Sequence, residues 1–295
     1  MLLAEQEASH GAPWRQIVDH EAGGEPLHVW ESPGQDPRGP SLVLVHGFEE
    51  NWESWLPLAR RLPRDLRLFA LDLPWRGGSH HRWTDRGSSA TWLERALELL
   101  PVHPDAVLAH SFGATTQLEL LTRSTPFSAI PTTLVAPVYR PHDQPVDSRF
   151  FGEAVDRFRS VLADGLRARM GPRGATVPPD IVDVMIGKVR ERVEPQGFLH
   201  FYATLSRTPH LPLPLIEAPV LVVSGTHDPS APVAAIDELR RAIPDVTIHQ
   251  DANLDHFCQL RQPDRVAEQL LAFLAARGLC LAGRPQPTTK ESISA

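Results

Sequence analysis

The feature that most constrains this chain is an alternation of two kinds of apolar pattern. Short runs rich in β-branched and other apolar residues are separated by segments whose apolar residues recur at helical spacing. Ser41–His46, Leu66–Leu71, Ala106–His110, Thr132–Ala136, Val220–Ser224 and Val246–Gln250 read as strands. Trp52–Leu62, Thr91–Leu100, Phe112–Arg123, Pro232–Ile243 and Pro263–Arg277 read as helices. A strand without polar alternation is covered on both faces, and helices on both faces of a parallel sheet provide that cover. The alternation therefore predicts an α/β fold with a doubly wound, mostly parallel sheet. Trp14–Asp19 and Leu27–Glu31 flank Gly23-Gly24 and predict a hairpin ahead of it.

The alternation stops between Ala136 and Pro219. Proline-rich hinges at Pro137–Pro145 and Pro209–Pro219 bracket a stretch with no strand signal. Within it Phe151, Val155, Phe158, Leu162 and Leu166 step at helical spacing, as do Ile181, Met185, Val189 and Val193. A third helix is expected to carry Phe198, Phe201, Tyr202 and Leu205. This predicts an α-helical cap, residues 138–213, inserted into a core formed by 14–137 and 214–278. The plainer alternative is a pair of ordinary core helices. Residues 1–13 and 279–295 carry little apolar content in register and are expected to be flexible termini.

Composition narrows the function. The net charge of −7 offers no concentrated basic footprint for nucleic acid. No apolar run reaches the ~18–20 residues that span a bilayer. The first residues lack the basic and apolar regions of a secretory signal. With two cysteines, Cys258 and Cys280, there is no disulfide framework, and a cytoplasmic location is expected. No metal-ligand spacing, Walker loop or dinucleotide fingerprint occurs, so neither metal nor cofactor is expected. Cys258 is expected to be a buried, inert thiol.

Four motifs carry chemistry. Ala109-His110-Ser111-Phe112-Gly113 stands between a predicted strand and a predicted helix. It fits the nucleophile-elbow pattern G-x-S-x-G with alanine at the first glycine. Residues two before and two after the serine must be small for so sharp a turn. His46-Gly47-Phe48 ends an earlier strand, where the Phe48 and Phe112 N–H groups can together face an oxyanion. His46 itself is expected to hold the loop. Asp228 follows the strand Val220–Ser224, and His256 follows Val246–Gln250. A serine hydroxyl needs an imidazole to take its proton, and the imidazole needs a carboxylate to orient it. Ser111, Asp228 and His256 supply these in that chain order, with Asp255 and Asp72 as alternative acids.

On these motifs, together with Leu71-Asp72-Leu73-Pro74 and Gly78-Ser79, the chain resembles the α/β-hydrolase fold superfamily with an inserted helical cap. The resemblance covers residues 14–277. It implies Ser111 as nucleophile, His256 as base, Asp228 as acid, and Phe48 and Phe112 as oxyanion donors. Trp75-Arg76-Gly77 departs from the family's usual glycine and histidine, and Trp75 is expected to line the cleft. Of the neighbouring acids Glu49 and Glu50, Glu49 is the candidate to face substrate. Over residues 147–207, ten basic residues stand against eight acidic ones, a balance that could attract an anionic substrate or carrier.

The expected activity is cofactor-independent hydrolysis of an ester, thioester or lactone of a mostly apolar small molecule through an acyl-enzyme. A small-molecule acyl substrate is thus the expected partner. Acyl transfer or ester-eliminating lyase chemistry in a biosynthetic tailoring role is the alternative. A ligand-binding protein with a vestigial site is a third reading.

Overall fold

Strands β3 (Ser41–Val45), β5 (Ala106–His110), β6 (Thr132–Val135) and β7 (Val220–Gly225) are buried along their whole length. Continuous burial explains their unbroken apolar runs, since neither face meets water. The computed structural model describes residues 14–279 except 23, 33, 35, 37 and 195, so the expected flexible termini lie almost wholly outside the described residues. Among the described residues one sheet has eight strands, in the order β1-β2-β4-β3-β5-β6-β7-β8. From β4 (Arg67–Asp72) to β8 (Val246–Asp251) all neighbours are parallel. β1 (Arg15–Ala22) and β2 (Glu25–Ser32) form the expected hairpin, and β2 joins β4 antiparallel.

Helices flank the sheet in two groups. Near its start α1 (Leu56–Ala59) follows a short 3₁₀ turn, Trp52–Trp55, so the segment expected as one helix is two shorter pieces. α2 (Ser89–Glu98) packs on α3 (Ser111–Leu121). Between β6 and β7 run α4 (Ser148–Met170), α5 (Pro179–Val193) and α6 (Gln196–Arg207). α7 (Val233–Ala242) links β7 to β8. α8 (Cys258–Arg261) and α9 (Pro263–Ala276) follow β8 and pack against α1.

The inserted helices bury the expected stripes only in part: Phe158, Leu162 and Val193 turn inward, but Phe151, Ile181 and Met185 do not. In α4 the inward residues include Phe150, Ala154, Phe158 and Leu162, while Phe151 is 47% exposed. In α5 Val182 and Ile186 are buried, whereas Ile181 and Met185 are 47% and 37% exposed. Both helices carry apolar residues on adjacent columns. Spacing alone does not choose between columns; the partner does. Val182 and Ile186 pack with Ala163 of α4, which sets the rotation of α5.

Glycines mark where the strand ends must approach other backbone. A Cβ on Gly113 would lie 2.8 Å from the Val45 carbonyl oxygen and closer still to that of His46. A Cβ on Gly225 would collide with the Leu254 carbonyl, whose carbon would be only 2.9 Å away. Gly225→Ala is therefore expected to cost about 1–3 kcal/mol through forced backbone displacement. Urea unfolding should show this as a lowered midpoint with unchanged slope.

Candidate active site

β5 runs straight into α3 with no loop between them. The chain reverses at Ser111, which adopts φ +51°, a left-handed conformation rare for a residue with a Cβ. This turn lifts the Ser111 side chain off the C-terminal edge of the sheet. Gly47, on the neighbouring loop, leaves room for it, since a Cβ there would lie 3.1 Å from the Ser111 Cβ and 2.9 Å from His110 Nδ1. Ala109 is fully buried, so its one methyl group is accommodated.

Two other strand ends deliver partners. Ser111 Oγ lies 2.9 Å from His256 Nε2, and His256 Nδ1 lies 2.8 Å from Asp228 Oδ2. The Ser230 N–H donates to the second Asp228 oxygen at 2.8 Å. All three side chains are buried. With Nδ1–H donated to the carboxylate, Nε2 is left to accept the serine proton. Burial alone would depress the His256 pKa, but the Asp228 charge and hydrogen bond outweigh it and raise the pKa. Burial likewise pushes Asp228 up, and the His256 charge with the two hydrogen bonds brings its pKa below the ordinary value.

The alternative acids are occupied elsewhere. Asp72 accepts from the Trp52 backbone N–H at 2.7 Å and from Trp30 Nε1 at 3.2 Å. Asp255 accepts from the Phe257 N–H at 2.9 Å and pairs with Arg261. His46 is fully buried, donating from Nδ1 to the Gly47 carbonyl and accepting the Leu73 N–H at Nε2. Burial lowers its pKa, so it is a neutral brace between two loops. Burial pushes the Cys258 thiol up, away from thiolate chemistry.

Trp75 does not line the cleft. It is fully buried, donates Nε1–H to the His46 carbonyl at 3.2 Å, and packs against Trp83 and Phe112. The indole has an apolar body and one donor, and the core behind the loop satisfies both. Glu49 does line the cavity, but its carboxylate is already taken. His81 Nε2 approaches Oε1 at 2.6 Å, and Arg192 of α5 bonds both oxygens, at 2.9 and 2.5 Å. Burial would raise the Glu49 pKa, and these partners instead lower it.

The Phe48 ring stacks on His81 at 4.6 Å and meets Phe112 edge-on. Phe112 is the second residue of α3, where a helix leaves its N–H without an internal partner. The cavity over Ser111 is lined by Phe48, Val138, Phe158, Leu162, Phe201 and Phe257, among others, and holds ≈ 30 Å³. Among the described residues no cluster of His, Cys, Asp and Glu is arranged to hold a metal.

Sequence reasoning missed a second buried pair. His110 Nε2–H donates to the His256 carbonyl at 2.7 Å, and His110 Nδ1 lies 2.9 Å from Glu50 Oε1. A proton shared between His110 Nδ1 and the Glu50 carboxyl joins the two side chains. The Gln259 Nε2 also lies 3.0 Å from His110 Nδ1. Glu50 also accepts the Gly47 N–H at 3.3 Å. Burial would raise its pKa, yet the His110 charge and hydrogen bond bring it to about 2. The available signal was His110 itself, a titratable residue at the end of a strand with no solvent-facing side.

Two measurements follow. In an imidazole ¹⁵N titration His256 should titrate above 6.5, and Asp228→Asn should lower its pKa by removing the largest influence that opposes burial. Glu50→Ala removes the partner of His110 Nδ1 and the acceptor of the Gly47 N–H, and should cost about 1–3 kcal/mol in urea unfolding.

The chain is similar to known proteins over most of its length. A model of the alpha/beta hydrolase family matches residues 42–269. The chain is 24% identical over 259 residues to a pimeloyl-[acyl-carrier protein] methyl ester esterase of Vibrio vulnificus, covering 84% of this chain and 97% of that protein. It is 23% identical over 283 residues to the monoacylglycerol lipase ABHD6 of Bos taurus, covering 82% and 77% respectively. Among solved structures, a bacterial membrane phospholipase A superposes with a TM-score of 0.69 at 19% identity, over 92% of this chain and 88% of its own. The enol-lactonase of Burkholderia xenovorans LB400 superposes with a TM-score of 0.61 at 21% identity, over 89% of this chain and all (100%) of its own. The matched span runs from the strand before the Phe48 loop to the last helix and takes in Ser111, Asp228 and His256, and on that breadth the chain belongs to the alpha/beta hydrolase family.

Proposed function

We propose that this protein is a serine hydrolase that cleaves esters of mostly apolar small molecules through an acyl-enzyme on Ser111. The observation that carries the reading is the continuous Ser111–His256–Asp228 chain at 2.9 and 2.8 Å. Relatives named as esterases and lipases support it. Residues 138–213 act as a cap, and residues 14–137 and 214–278 form the hydrolase core.

In this mechanism Ser111 Oγ attacks the ester carbonyl carbon while its proton passes to His256 Nε2. Asp228 stabilises the imidazolium so formed. Negative charge collects on the carbonyl oxygen, where the N–H groups of Phe48 and Phe112 receive it, aided by the N-terminal end of α3. The carbon–oxygen bond to the leaving alcohol then breaks, and His256 returns the proton to that oxygen. Water next gives a proton to His256 and attacks the acyl carbon. Collapse releases the acid and restores Ser111. The apolar lining from Phe48, Phe158, Leu162 and Phe201 supports an apolar acyl chain.

A second reading, transfer of the acyl group to another nucleophile, draws on the small apolar cavity, which disfavours bulk water. Hydrolysis in ¹⁸O-labelled water discriminates: label in the released acid supports hydrolysis, and an acylated acceptor supports transfer. Ser111→Ala should lower turnover by about 10⁴–10⁶-fold, and near wild-type turnover would contradict the mechanism. Because the base must be neutral, kcat/KM should fall as the pH drops through the raised His256 pKa, with a midpoint above 6.5.

A further inference from the structure

The space over Ser111 is far smaller than a substrate. It holds ≈ 30 Å³, against roughly 300–1,000 Å³ for small-molecule sites. A second, open groove of ≈ 880 Å³ lies between α4–α5 and the core, where Leu56, Pro57, Ala168, Met170 and Val189 give an apolar strip beside the charged Glu53 and Arg60. Glu49, Glu50 and Arg169 line both spaces, so they form the wall between them.

That wall is tied by side-chain polar bonds. The Arg192 guanidinium forks onto Glu49 at 2.5 and 2.9 Å and also donates to the Ser79 carbonyl at 3.0 Å. Arg169 donates to the Glu49 carbonyl. Glu49 itself sits at φ +60°, a left-handed conformation, with its N–H donated to the Trp75 carbonyl at 2.9 Å. With the two arginines withdrawn, among the described residues only His81 would still hold the Glu49 carboxylate, and rotation of that side chain would open this wall without moving a strand or a helix.

The other boundaries cannot open so simply. Overhead, Gly165 of α4 lies so close to Phe257 that a Cβ would be 2.8 Å from its ring. On the far side a groove of ≈ 390 Å³ shares only Val161 and His256 with the cavity. Opening there would displace His256 from Ser111.

We propose that Glu49, Arg169 and Arg192 form a gate through which an ester passes from the outer groove to Ser111. The far end of a long substrate stays in the groove while the carbonyl reaches the serine. The proposal rests on the ester-hydrolase reading. It specifies esters longer than the inner cavity holds, and it makes two cap arginines determinants of chain-length preference. None of the gate's bonds belongs to the proton-transfer chain.

The test compares p-nitrophenyl acetate with p-nitrophenyl decanoate on wild type, Arg192→Ala, Arg192→Lys and Ala168→Trp. Losing the fork in Arg192→Ala should raise the decanoate-to-acetate ratio of kcat/KM about fivefold or more. Arg192→Lys keeps the charge without the two-pronged geometry and should fall between. Ala168→Trp fills the groove ahead of the gate and should raise KM for decanoate while leaving acetate unchanged. Hydrogen exchange, which needs no turnover, should rise in residues 47–51 and 179–193 of Arg192→Ala. Unchanged chain-length ratios in both Arg192 variants, or unchanged exchange, would overturn the gate. Loss of hydrolysis of both esters in wild type, with exchange raised in Arg192→Ala, would overturn the ester reading and leave the gate standing.

Discussion

The site depends on holding a residue with a Cβ in a left-handed turn. Ser111 at φ +51° sits where β5 becomes α3 without a connecting loop. Such a conformation costs on the order of 1–3 kcal/mol and persists only where the surroundings over-determine it. Here they do. β5 is hydrogen-bonded on both sides, to β3 and β6. Gly113 presses α3 against the His46 and Val45 carbonyls, and Gly47 clears the space in front of the serine. The strain is thus borne by the centre of the sheet, the most buried part of the molecule.

Around that turn the fold places three charged groupings with different duties. His256 and Asp228 face the serine. Glu50 and His110 lie behind it, and His110 reaches the backbone of His256 while Glu50 holds the N–H of Gly47. The negative charge on Glu50 adds to that of Asp228 in favouring the protonated form of His256. Glu49, one residue away, points to the inserted helices and pairs with Arg192. Two adjacent glutamates therefore take opposite assignments, one bracing the catalytic loop and one binding the cap. The left-handed turn at Glu49 separates their directions.

The sheet was legible because buried parallel strands have an unmistakable composition, and β5 matches its expected span, Ala106–His110, residue for residue. Ser111 and Asp228 follow fully buried strands and His256 follows the partly exposed β8, so the three strand ends, though not the distances, could be read ahead of the structure. Less legible was anything decided by packing between helices. Apolar residues on adjacent columns of α4 and α5 left the inward face undetermined, and the structure turns Phe151, Ile181 and Met185 outward. Trp75 was placed in the cleft because its loop borders it, but its N–H found the His46 carbonyl in the core. Arg192 and Glu49 are 143 residues apart, and no local pattern joins them.

The central claim is that Ser111 is a nucleophile activated by His256. Its most direct test is the intact mass of the protein after treatment with a fluorophosphonate small enough for the inner cavity. The account predicts a single phosphonyl adduct on the wild type, none on Ser111→Ala, and much slower formation on His256→Ala. An unmodified wild type, or an adduct that survives Ser111→Ala, would contradict it.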